Sequence, residues 1–150
     1  MDSQFEKLKG VRHVVQDEPD DRFLLREEFL RGISLLHRYD LTYDILIFQK
    51  HLDVAAEFVS MFPEQRFVLD HIAKPDIKKG IISPWREGID KLSDFDNVYC
   101  KLSGMVTEAD WYNWKYEDFV PYLSIVYNAF GEDRLMIGSD WPVCTLAGNY

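Results

Sequence analysis

This chain lacks an excess of positive charge, a cysteine framework, long apolar runs and glycine-rich turns, and each absence removes a class of function. Its 17 basic residues face 26 acidic ones, giving a net charge of -9 and a pI near 4.8. Such a surface repels phosphate backbones and anionic headgroups, which argues against nucleic acid and membrane surfaces as partners. No apolar run approaches the roughly 18 residues that span a bilayer, and Met1-Asp-Ser-Gln-Phe-Glu-Lys carries no signal-peptide core. The expected address is therefore cytoplasmic. Two cysteines, Cys100 and Cys144, fit reduced thiols better than disulfides, and small buried hydrophobes are their plainest reading.

What is present is a globular composition, 47% hydrophobic and 15% aromatic, in which strand-length apolar runs alternate with segments of helical period. Gly10 to Gln16 reads as a strand. Phe23 to Tyr39 follows as a helix, with Leu25, Phe29, Ile33 and Leu36 in one stripe. Thr42 to Phe48 is the next strand and Leu52 to Phe62 the next helix, ended by Pro63. Then come the strand Phe67 to His71, a helix opened by Ser83-Pro84 as a hydroxyl cap and first helical residue, and the strand Asn97 to Ser103. A helix from Asp118 to Phe130, closed by Gly131, and a last strand from Leu135 to Gly138 complete the series. Five strands alternating with four helices predict parallel pairing with right-handed crossovers.

Two architectures share that pattern. A dinucleotide-binding sheet needs a glycine-rich turn after its first strand, whereas Gln16-Asp-Glu-Pro-Asp-Asp21 would repel a pyrophosphate. Polar residues at several strand tips favour a barrel, because inward side chains at the C-terminal rim face the open mouth. Phe67-Val-Leu-Asp-His71 and Leu135-Met-Ile-Gly-Ser-Asp140 both end in such residues. Five strands cannot close an eight-stranded barrel, however, and 150 residues fall short of the roughly 250 of a complete one.

Four motifs, Gly10-Val-Arg-His-Val, Asp70-His-Ile-Ala-Lys-Pro75, Cys100-Lys-Leu-Ser-Gly104 and Gly138-Ser-Asp-Trp-Pro142, stand in order at strand spacing over nearly the whole chain. Together they resemble the amidohydrolase-related family, and within it the sugar-lactone hydrolase branch. The resemblance implies a single partial α/β domain over residues 1–150, an incomplete (β/α)8 TIM barrel whose strands correspond to the fourth to eighth. The family's N-terminal His-x-His strand has no counterpart here, so the chain looks like a partial enzyme.

The implied reaction is water attack on the ester carbonyl of a sugar lactone, a small-molecule substrate. Such a reaction needs a base, a positioned water and a polarised carbonyl. Asp140 is the implied base, set against the plainer role of capping the Trp141-Pro142 loop. If Leu69 and His71 share a face, His71 sits inward beside it. Either residue is also a candidate ligand for a divalent metal, zinc in the full-length form, although two ligands fall short of the usual three and no cofactor is certain. No tightly held metal is therefore expected in the 150-residue chain.

Arg12, His13, Lys101, Trp111 and Trp141 are candidate substrate-binding residues. Arg12 and His13 point to opposite faces of one strand, so at most one lines the mouth directly. Lys101 shares a face with Ser103, opposite Val98, Cys100 and Leu102, and so points inward; there it needs a carboxylate, Asp140 being the expected partner. Trp111, Tyr112 and Trp114 suit either sugar stacking or a packed lid. Lys74, His37 and His51 read as surface residues. Two other readings stand beside the lactonase: a silent barrel fragment or assembly piece that self-associates through its open sheet edges, and a related small-acid decarboxylase or hydratase.

Overall fold

The computed structural model describes residues 7–149. Five strands form one fully parallel sheet in sequential order: β1 (Gly10–Val14), β2 (Thr42–Leu46), β3 (Phe67–Leu69), β4 (Val98–Leu102) and β5 (Leu135–Ile137). Between them run α1 (Glu27–Leu36), α2 (Leu52–Ser60), α3 (Trp85–Ser93) and α4 (Tyr116–Phe130). The alternation read from the sequence thus becomes five consecutive strand units of a (β/α)8-type arc.

Several helix boundaries differ from expectation: α1 ends at Leu36, α2 ends at Ser60 and α4 begins at Tyr116. Phe23–Leu25 is a separate 3-10 turn, and extended backbone at Arg26 resets the chain before α1. Ser83-Pro84 does not cap in the expected way: Pro84 occupies the N-cap of α3, and the Ser83 hydroxyl donates to Glu87 at 2.8 Å.

Side-chain alternation divides the sheet into two unlike faces. Tyr43, Ile45, Phe67, Leu69, Val98 and Cys100 point to the helix layer and are buried. There Phe58 meets Phe67 and Tyr43 edge-on, with ring centroids 5.2 and 6.0 Å apart, an arrangement that aromatic quadrupoles favour. α2 and α3 approach so closely that a Cβ on Gly88 would lie 2.5 Å from the Cβ of Leu52, which explains glycine in mid-helix. The other face carries Arg12, Asp44, Val68, Lys101 and Met136 around an open cavity of about 460 Å³.

Candidate active site

The site begins with a backbone feature. β3 stops at Leu69, and His71, Ile72, Ala73 and Lys74 then take φ of 53, 48, 58 and 51°, one left-handed turn closed by Lys74 N–H donating to the His71 carbonyl at 2.9 Å. Left-handed conformation costs roughly 1–2 kcal/mol for each residue with a Cβ, so surrounding structure must hold it. Two anchors do so: the buried Trp85 indole donates to the Ile72 carbonyl at 2.7 Å, and Ile72 and Ala73 are completely buried.

This turn corrects the reasoning by alternation. Leu69 faces the helices while Asp70 turns to the open face, so continued extension would have carried His71 to the helix side with Leu69. The turn instead brings its imidazole to Asp140 and Ser103. Nε2 lies 3.3 Å from Asp140 Oδ1, and Nδ1 lies 2.8 Å from Ser103 Oγ. Gly104, at φ 63°, leaves room for the ring, since a Cβ there would sit 2.8–2.9 Å from His71 Cγ, Cβ and Nδ1. Burial pushes the His71 imidazole below its usual pKa and outweighs the opposing pull of Asp140 and Asp70. Asp140 itself adopts φ 60°, a conformation aspartate tolerates better than most residues.

Behind the pair lies a charge network that sequence reading missed. Asp70 is fully buried; its Oδ2 accepts from Arg12 at 3.0 Å, and its Oδ1 lies 2.7 Å from Lys101 Nζ, an ionic contact off the hydrogen-bond angle. Lys101 also binds Asp44. Burial pulls the Lys101 ammonium down, but the hydrogen bond to Asp44 and the close negative charges of Asp70 and Asp44 together outweigh it, and the net shift is upward. The hydrogen bond to Asp70 likewise raises Arg12. Lys101 therefore points inward as its alternation requires, but its partners are Asp44 and Asp70, not Asp140. Asp44 could have been found: a lone carboxylate inside Thr42-Tyr-Asp-Ile-Leu needs a partner, and Arg12 stands opposite it in register.

Other candidates fall elsewhere. His13 is corrected as a mouth residue, because it faces the helix layer, stacks on Phe23 at 4.8 Å and holds Glu18 at 2.6 Å. Trp111 is tied to its own loop by Nε1–H donating to the Thr107 carbonyl at 2.8 Å, at the edge of a groove of about 390 Å³. Trp114 packs on Phe119 and donates to the Ala147 carbonyl, acting as a loop fastener. Trp141 is exposed beside Asp140. Lys74 is not a surface lysine; its side chain is largely buried and pairs with Glu108 at 3.0 Å. His51 is also corrected. It is wholly buried, accepts from the Phe48 N–H and faces Asp21, fastening the loop after β1 to the start of α2, whereas His37 is exposed as expected.

Tetrahedral zinc chemistry asks more than this donor set holds. His71 Nε2 and Asp140 Oδ1 could occupy two corners, but among the described residues no cluster of three or more His, Cys, Asp or Glu is suited to holding a metal. Catalytic zinc ordinarily takes three protein ligands. The described residues alone therefore do not make a zinc site.

A parallel α/β arc with a histidine and an aspartate meeting at its strand tips defines the class, and the family model for amidohydrolases (Amidohydro_2) matches residues 6–150. The chain belongs to the amidohydrolase family. It is 40% identical, over 96% of its length, to an L-fucono-1,5-lactonase of Burkholderia multivorans, covering 52% of that protein. Crystal structures of an amidohydrolase from Burkholderia multivorans superpose with TM-scores of 0.91 (with bound HEPES; 38% identity, 98% of this chain and 55% of that one) and 0.90 (with bound zinc; 39%, 96% and 53%). The chain spans about half the length of the curated relatives it matches.

Proposed function

We propose that this segment supplies the base and its supporting histidine to a hydrolase that opens a sugar lactone, L-fucono-1,5-lactone or a close analogue. The observation that carries the reading is the contact between Asp140 and His71 at the strand tips, in a chain 40% identical to a lactonase of that name. In this mechanism Asp140 takes a proton from a water that attacks the ester carbonyl, and His71, held neutral by burial, stands beside the carboxylate with Nε2 3.3 Å from Oδ1. Arg12, partly exposed on the open face, is the cation placed to bind the substrate's carbonyl or hydroxyls; the Lys101–Asp44–Asp70 network holds it in place. Trp141, exposed beside Asp140, is the aromatic surface for the sugar ring.

A divalent metal belongs to this proposal only in a protein that adds further ligands to His71 and Asp140; it would polarise the carbonyl and acidify the water. For the 150-residue chain we expect no stoichiometric tightly held metal. Elemental analysis after dialysis checks this, and one zinc per chain would contradict it.

The cytoplasm is the proposed location. No helix among the described residues is long and apolar enough to cross a membrane.

The test of function is a substrate panel offered to a full-length barrel carrying this segment. Hydrolysis of six-carbon sugar lactones, with no loss of carbon dioxide from small conjugated acids, is the expected pattern. Decarboxylation or hydration of such acids without lactone opening would favour the other chemistry.

A further inference from the structure

We propose that Ser103 is a positioning residue that fixes the tautomer and ring orientation of His71, donating its hydroxyl hydrogen to Nδ1 so that the single N–H of the neutral ring, on Nε2, points at Asp140. The inference rests on the reading of Asp140 as the base, but the observation that carries it is geometric. The two ring nitrogens face chemically different partners, Nδ1 a hydrogen bond with Ser103 Oγ at 2.8 Å and Nε2 the charge of Asp140, whose Oδ1 lies 3.3 Å away and off the hydrogen-bond angle. An ionised carboxylate only accepts hydrogen bonds, whereas a hydroxyl gives or takes. The one N–H of the neutral ring is therefore favoured on the nitrogen beside the negative charge, which leaves a lone pair on Nδ1 for the hydroxyl hydrogen.

Three features of the surroundings strengthen the assignment. Ser103 is 4% exposed, and its hydroxyl has no other hydrogen-bond partner among the described residues, so it has nowhere else to aim. The positive φ of Gly104 admits the His71 ring against the backbone, and the absent Cβ marks how closely the ring is seated. Arg12, Lys74 and Asp70 act on His71 only through their charge; Ser103 and Asp140 alone touch the ring nitrogens among the described residues.

The consequence is a division of labour in which Asp140 handles the water and Ser103 keeps the imidazole aimed. Replacing Ser103 should lower kcat about 10- to 100-fold, the scale of a misoriented catalytic group, and leave KM nearly unchanged.

The direct test is 15N NMR of histidine-labelled chain, in solution or as a hydrated solid, above pH 8, with His71→Asn to assign its signals. A bare Nδ1 and a protonated Nε2 on His71 are expected, with broadened or averaged ring nitrogens in Ser103→Ala. A wild-type ring protonated on Nδ1 would overturn the proposal, as would a Ser103→Ala spectrum identical to wild type. The wild-type tautomer decides the matter even if Ser103→Ala does not fold. Because no substrate is present, a ring in the expected tautomer within a barrel that opens no lactone would keep this inference and end the lactonase reading.

Discussion

Asp70 and Lys101 form the contact whose two halves should respond least alike to mutation. Lys101→Met leaves a fully buried carboxylate with Arg12 as its one remaining cation, and a cost near 3 kcal/mol is expected. Asp70→Asn leaves Lys101 still held by Asp44 and Arg12 partly in water, so a loss nearer 1 kcal/mol is expected. Urea unfolding of a full-length barrel carrying this segment measures both, and equal losses would show that the network is not asymmetric. Gly104→Ala should cost about 1–3 kcal/mol, from a side chain in left-handed backbone and its collision with the His71 ring. For His71 the sign of the pH effect follows from its depressed pKa. The folded chain binds the proton less readily than the unfolded one, so this contribution to stability is present above about pH 6.5 and is lost as pH falls through the lower folded value. His71→Asn should flatten that part of the profile of urea midpoint against pH.

At the scale of elements, all five strands and four helices were legible because apolar period and punctuation report local preference directly. The inward direction of Lys101 was legible too, since alternation holds along the full length of β4. What alternation could not give is the turn at 71–74, where the strand ends two residues before the histidine. Lys74 and His51 were misplaced for a related reason: their burial is imposed by Glu108 and Asp21, each at least 30 residues distant, and no local pattern encodes that. The missing signal for the turn was tertiary, the Trp85 indole on the Ile72 carbonyl. Trp85→Phe, which keeps the ring face and removes the donor, should cost about 1–3 kcal/mol by leaving that carbonyl unsatisfied. It should also loosen His71. A stability within 0.5 kcal/mol of wild type, about the scatter of neutral surface changes, would show that the turn holds itself.

At the scale of the whole molecule, the described sheet ends on two strands with exposed apolar side chains, Val11 and Val14 on β1 and Ile137, 89% exposed, on β5. Parallel sheets are normally covered on both faces, and open edges invite pairing. The chain as 150 residues is expected to self-associate or to bind a hydrophobic dye, and light scattering that shows a cooperatively unfolding monomer would contradict this. Alone it should open sugar lactones no faster than buffer.

The central claim, that Asp140 is the base of a lactone hydrolase, is tested most directly by Asp140→Asn in a full-length barrel carrying this segment, assayed on L-fucono-1,5-lactone. Asparagine keeps the volume and removes the base, so a fall of about 10²–10⁴-fold in kcat, roughly 3–5 kcal/mol, with the fold intact by circular dichroism, is the predicted result. Turnover close to that of the unmutated barrel would contradict it.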